Sequence, residues 1–359
     1  MPKILIKNGK VWDGEKFYFA DVLADNGKIS KIGEIIDEPI NSATDFVFDA
    51  KDKIVSAGFV DLHMHMRGVS SVTFGTQGEM SCFPFGVTAA ADGAGSYGDK
   101  ALLDSFMLKN LVFVFAEFKD NKADFTHAEK MLEKYGDKCV GIKVFFDSKD
   151  AEVRDIKPLC ECIEFAQKHN LIVMVHSSNA PIPMPELLGV LRKGDIFTHA
   201  YHGGKNNVSE DDFECIKSAK KRGIIIDVGM AGHVHTDFKV FENAISKGAL
   251  PDTISTDITR WSAYKRGGRY GMTMCMSIAK FLGIKEEEIF KAVTSAPSKV
   301  FGKENEWGYL KVGRCADIAV LDYSGEGFEL TDVSGNCISD NVGYKCVLTV
   351  ADGEVVYKA

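Results

Sequence analysis

Gly141-Ile142-Lys143-Val144-Phe145-Phe146, then a helical stretch from Cys160 to His169, then Leu171-Ile172-Val173-Met174-Val175-His176, reads as strand, helix, strand. Both strands are apolar almost throughout, as in a parallel sheet covered by helices on its two faces. The unit recurs downstream. Ser209 is expected to cap a helix carrying Phe213, Ile216 and Ala219, which Gly223 ends before a strand from Ile224 to Val228. Thr236 opens a further helix, Gly248 stops it, and Thr253 to Asp257 forms the next strand. Roughly 250 residues of such alternation fit an eight-stranded β/α barrel better than a doubly wound sheet. No Gly-x-Gly-x-x-Gly follows a strand, so a dinucleotide-binding fold lacks its fingerprint.

The two ends of the chain read differently. Asn8-Gly9, Asn26-Gly27 and Asp352-Gly353 each lie between short apolar or alternating runs, a strong signal for tight β turns. The middle has no comparable stretch, which suggests that the ends pair with each other. The fold expected is therefore α/β: a (β/α)8 TIM-like barrel over 58–307, plus a small composite β-sandwich from 1–57 and 308–359.

Composition narrows the function. The 359 residues carry a net charge of -8, which argues against nucleic acid or an anionic membrane as the main partner. Apolar runs such as Leu111 to Ala116 are strand-sized, far short of the roughly 18 residues of a membrane helix. The start, Met-Pro-Lys-Ile-Leu-Ile-Lys, has no signal-peptide pattern, so a cytoplasmic location is expected. Nine cysteines, with no C-x-x-C pair, give neither a disulfide framework nor a zinc ribbon; they read as structural thiols.

The nine histidines are more informative. In Phe59-Val60-Asp61-Leu62-His63-Met64-His65-Met66-Arg67, strand alternation puts His63 and His65 on one face, and Leu62, Met64 and Met66 on the other. Two imidazoles on one face at a strand end can share a divalent metal. His176, His199 and Asp257 also end predicted strands, and β/α barrels build their sites at the C-terminal strand ends. Lys143 lies inside an apolar strand, where burial favours the neutral amine, which reacts with carbon dioxide to form a carbamate. Of the remaining histidines, His127 sits in the first turn of a helix whose capping box is Thr126 to Glu129, and His169 at a helix C-terminus. Both are structural positions.

The set His63-x-His65, Lys143, His176, His199 and Asp257 resembles the amidohydrolase superfamily, in its binuclear subtype with a carboxylated lysine. Ile54 to Asp61, Ser295 to Gly302 and Gly308 to Val320 are similar to the stretches flanking its barrel, so the resemblance spans essentially the whole chain. His176-Ser-Ser-Asn179-Ala180-Pro181, Gly194 to Gly203 and Pro251 to Asp257 look like its amidohydrolase/deacetylase, dihydroorotase-like group. The resemblance implies two divalent metal ions per chain, with zinc expected, bridged by N-carboxylated Lys143. It places one ion on His63, His65 and Asp257, and the other on His176 and His199. A bridging hydroxide would attack an amide or ester carbonyl while Asp257 relays the proton.

Substrate contacts are expected from Arg67, Asn179, His202 and Arg260. Either arginine suits a carboxylate by a two-pronged hydrogen bond, or an ion pair at the barrel rim. His233 and His235, past a strand end, read as pocket-lining or as ordinary loop histidines, and Arg266 to Arg269 as a lid or a solvated turn. The activity expected is hydrolysis of a small acylated amino or hydroxy acid. Alternatives are a cyclic-amide hydrolase of the dihydroorotase or hydantoinase type, and an inactive scaffold subunit. His63-x-His65-x-Arg67 is similar to dihydroorotases, but Asp257 continues as Ile258-Thr259-Arg260 where those usually have His-Ala-Pro. A homo-oligomer is compatible with the fold.

Overall fold

The computed structural model describes residues 2–148, 153–232, 234–265, 269–323 and 327–359. Its centre is a curled parallel sheet in which seven strands lie side by side in chain order: Phe59–Met64, Val87–Gly95, Lys109–Lys119, Cys139–Phe145, Ile172–His176, Ile196–Thr198 and Ile225–Ile226. The short strand Lys122–Asp124 turns back on the third. Residues 253–258 meet both edges of the curl. Thr253 bridges Asp227, while the Asp257 amide donates to the His63 carbonyl at 2.7 Å and the His65 amide to the Ile258 carbonyl at 3.0 Å. Asp257 is thereby brought beside His63.

Helices such as Lys157–Lys168 cover the outside, placing Leu159, Cys162 and Ala166 against outward-facing Ile142, Val144 and Val173. A separate apolar cluster fills the inside, with Val60, Phe113, Met174 and Ile196 closed off by Phe301 and Trp307. Leu62 joins Val60 in this inner cluster, apart from Met64 and Met66, with which simple alternation groups it. The reason is a slip in the ladder between Asp61 and Met64, so that only Met64 and Met66 face the helices.

Both chain ends build one further sheet. Its order is Glu354–Lys358, Tyr344–Ala351, Ile318–Tyr323, Ile54–Ala57, Ile4–Trp12, Phe17–Asp25 and Lys28–Gly33, with Phe46–Asp49 also beside Ile4–Trp12. Ile54–Ala57 joins the halves, parallel to Ile4–Trp12 and antiparallel to Ile318–Tyr323. Phe328–Thr331 and Cys337–Asp340 form a separate two-stranded ladder.

Several local expectations are refined. Asn26-Gly27 and Asp352-Gly353 are turns, but Asn8-Gly9 lies within the first strand. There the left-handed Asn8 makes a bulge instead of a hairpin, and its amide donates to Asp21 Oδ1 at 2.8 Å. The helix expected from Ser209 begins at Glu214, because Phe213 itself adopts a left-handed conformation that blocks an earlier start. The next helix is capped by Asp237, not Thr236, its carboxylate accepting from the Lys239 and Val240 amides. Thr126 is the first residue of its helix and not its cap, since Phe125 holds that position without a side-chain bond, and His127 lies in the first turn as expected.

Candidate metal centre

His63 is the penultimate residue of the first parallel strand and His65 directly follows its end; both are buried. Asp257 comes to them from the opposite edge of the curl, its Oδ1 2.9 Å from His65 Nε2 and 3.3 Å from His63 Nε2. Across from this trio, His176 and His199 each end a strand or follow one. Their rings lie 4.5 Å apart, centroid to centroid, and His63 and His199 are 5.4 Å apart. Lys143 lies in the floor at 3 % exposure, with Nζ 2.9 Å from His63 Nε2. All six ligands expected from the resemblance thus converge on one place.

A seventh group joins them. His235 sits on the loop after Ile225–Ile226, with its ring 4.0 Å from that of His199 and 4.7 Å from that of His176. His176, His199 and His235 offer nitrogens all within 4.8 Å of one another, as do the ligand atoms of His63, His65 and Asp257. His233 and Arg266 to Gly268 lie outside the described residues. No periodic signal marks His235; the clue was its position soon after a strand end.

The surroundings suit neutral imidazoles. Burial holds His63, His176 and His199 well below the ordinary imidazole value and pushes His202 and His235 down to about 4. Burial likewise brings the Lys143 amine down to about 8, within range of the neutral form that forms carbamates. For Asp257 burial opposes charge, but His63 and His65 hold its carboxyl below the usual range. The Nε2 atoms of His176 and His199 are buried with no hydrogen-bond partner among the described residues. Each such atom costs about 1–3 kcal/mol unless something coordinates it. Lone pairs converging in this way fit divalent ions.

The far nitrogens are fixed. His65 Nδ1 meets Ser70 Oγ at 2.9 Å, and Ser70 donates to Asp92 Oδ1 at 2.7 Å. His63 Nδ1 lies 3.3 Å from Thr198 Oγ1, which donates to Asp227 Oδ2 at 2.7 Å. His199 Nδ1 bonds the Gly229 carbonyl at 2.6 Å. Such partners set ring orientation and tautomer for a metal. Two glycines make the room: a Cβ on Gly93 would lie 2.3 Å from His63 Cδ2, and one on Gly229 2.6 Å from His199 Nδ1. His199 and Asp257 also hold left-handed backbone, φ 58 and 46. That strain costs about 1–3 kcal/mol per residue and clusters at functional sites.

The substrate candidates divide. His202 is buried beside the centre; its Nδ1 accepts from the Gly204 amide and its Nε2 has no hydrogen-bond partner among the described residues. Asn179 is tied to Asp147, with its amide 3.1 Å from Oδ2, and so helps to build the loop. Arg67 and Arg260 are exposed and, among the described residues, pair with no carboxylate; the Arg260 guanidinium lies 5.8 Å from the Tyr264 ring centre. Two partly exposed phenylalanines flank the histidines: Phe145 stacks on His176 at 4.0 Å, and Phe74 meets His65 edge-on at 4.9 Å. A cavity of about 800 Å³ lies elsewhere, at the N-terminal strand ends by Ile225 and Thr253, among Lys220, Lys291 and Lys299. It holds none of the metal-centre residues.

A curled parallel sheet with histidines and an aspartate gathered at its C-terminal ends defines a class of hydrolase, and residues 54–356 match the amidohydrolase family. The chain belongs to that family, whose members hydrolyse C–N bonds with divalent metals. It is 26% identical to a deacetylase of Enterococcus faecalis over 98% of both chains. It is 24% identical to a dihydroorotase of Lactobacillus gasseri, covering 99% of this chain and 98% of that one. A crystal structure of a dihydroorotase superposes with a TM-score of 0.85 at 24% identity, over 99% of each chain.

Proposed function

We propose that the chain hydrolyses an amide or ester bond in a small acylated amino or hydroxy acid, using two divalent ions held between its strand ends. The observation carrying this reading is the pair of facing donor sets, one with Asp257 and one of imidazoles with unpartnered nitrogens. His63, His65 and Asp257 would hold the inner ion, and His176 and His199 the outer one, with Lys143 as a carbamate between them. We read residues 58–307 as a closed (β/α)8 barrel, 253–258 being its eighth strand, and 1–57 with 308–359 as the companion β-sandwich. Zinc ions there would supply an acidified water and a polarised carbonyl. Asp257 then serves as general base and acid. Its Oδ2, 3.8 Å from both His199 and His235 Nε2, receives the proton and returns it to the leaving nitrogen or oxygen. Phe74 and Phe145 favour an apolar acyl group at the mouth, and Arg67 or Arg260 would meet a carboxylate from the rim.

The deacetylase relative supports this substrate class. The dihydroorotase likeness favours a second reading, in which the same centre opens a cyclic amide. The test is metal content followed by a substrate panel. About two equivalents of zinc per chain, with turnover of N-acetyl amino acids or acetylated hydroxy acids, is expected. A preference for dihydroorotate or hydantoins would replace the first reading by the second; a purified chain that takes up no metal would remove both.

A further inference from the structure

We infer that His235 is a third imidazole ligand of the outer ion, held in place by Ser178. This rests on the two-ion reading above and extends its outer site from two protein imidazoles to three. His235 comes from a loop, yet its ring packs against both His199 and His176 more closely than His63 packs against His65, at 4.0 and 4.7 Å against 5.2 Å. Its nitrogen falls within 4.8 Å of those of His176 and His199; a tetrahedral ion with metal–nitrogen bonds of about 2.0–2.1 Å sets nitrogens about 3.4 Å apart, so small ring rotations would bring all three onto one ion. The ring is also oriented from behind. Ser178 Oγ lies 2.7 Å from His235 Nδ1, which leaves Nε2 to face the site, where it stands 3.8 Å from Asp257 Oδ2. Ser178 in turn follows His176 by two residues, so the loop that carries one ligand fixes the ring of another. His235 is 17 % exposed at its side chain, against 6 % for His176 and none for His199. It is the ligand nearest the mouth and the first that an incoming substrate would meet.

The test uses full-length protein stripped with a chelator and then titrated with zinc against a chromophoric competitor. Cobalt is added to parallel samples for its visible absorption. Wild type is expected to bind two ions. His235→Asn should keep the tighter ion while its second-site affinity falls at least ~100-fold, because loss of an outer-shell partner alone gives 10–100-fold. The cobalt bands of that second site should change shape. Ser178→Ala should give a smaller drop in the same site. Thermal melting of the metal-free proteins should coincide, since His235 lies on a partly exposed loop. Unchanged second-site affinity and an unchanged cobalt spectrum in His235→Asn would overturn the inference and leave the two-ion reading standing. Wild-type protein that binds fewer than two ions would overturn both.

Discussion

Two regions of this molecule gather buried polar groups, and they do so on opposite terms. At the seam between the sheet built by both chain ends and the curled parallel sheet, Lys109 Nζ lies 2.8 Å from Asp317 Oδ1 and 2.6 Å from Asp352 Oδ1, beside Cys315. Cys315, Asp317 and Asp352 have metal-like spacing, but the lysine already supplies their cation. Glu286 is answered likewise by Lys10 at 2.6 Å, Lys280 at 2.7 Å and the Tyr344 hydroxyl at 2.9 Å, which joins both chain ends to the helix Glu286–Val293. At the strand ends, by contrast, five imidazoles and an amine crowd around Asp257, and among the described residues the Nε2 atoms of His176 and His199 have no hydrogen-bond partner. Buried charge that is balanced within the chain is architecture; buried donors left unbalanced point to something brought in from solution.

That contrast can be broken at either region. Asp257→Asn should keep its metal ions yet lower turnover by about 10²–10⁴-fold, the usual worth of a positioned proton relay. Metal analysis beside steady-state kinetics checks it, and undiminished turnover would dismiss Asp257 as the base. Lys109→Met strips two carboxylates of their cation. It should cost about 3 kcal/mol in urea unfolding, the low end for a broken buried pair because Lys109 keeps some solvent contact, with metal content unchanged. Ser70→Ala removes the hydroxyl behind His65 and should weaken zinc about 10–100-fold with little change in the melting of the metal-free protein.

The smallest effect concerns pH. Burial would raise Glu286, but hydrogen bonds from Lys10, Lys280 and Tyr344 bring it down to about 2. A lowered carboxyl stabilises the fold above its unfolded value and loses that contribution as pH falls. The wild-type advantage over Glu286→Gln, about 1–2 kcal/mol after solvent screening, should therefore fade between about pH 4.5 and 2. Parallel urea titrations across that window would show it; a constant gap would mean that Glu286 acts by shape alone.

The strand-helix alternation was readable because strands covered on both faces must be apolar throughout, and strand-end histidines follow from that periodicity. Lys143 was readable because a charge has no reason to stand in such a strand. What escaped depended on single backbone torsions. Nothing in Asn8-Gly9 separates a bulge from a hairpin, since both use a left-handed asparagine. Nothing in Ser209 announces that Phe213 will turn left-handed and postpone the helix. The slip between Asp61 and Met64 similarly parts Leu62 from Met64. His235 arrives on a loop, where position depends on turn geometry rather than on a repeating period, so its partners could only be read from coordinates.

The sheet shared by the two chain ends sets a timetable for synthesis. Ile54–Ala57 emerges early but pairs with Ile318–Tyr323, roughly 260 residues later. At about 5–20 residues per second, the early strands wait on the order of 10–50 s with one edge unpaired. During that interval the strands of the parallel sheet are themselves being made in order, each beside the one before. The nascent chain therefore carries an open strand edge for most of its translation, and shielding that edge falls to whatever attends the ribosome.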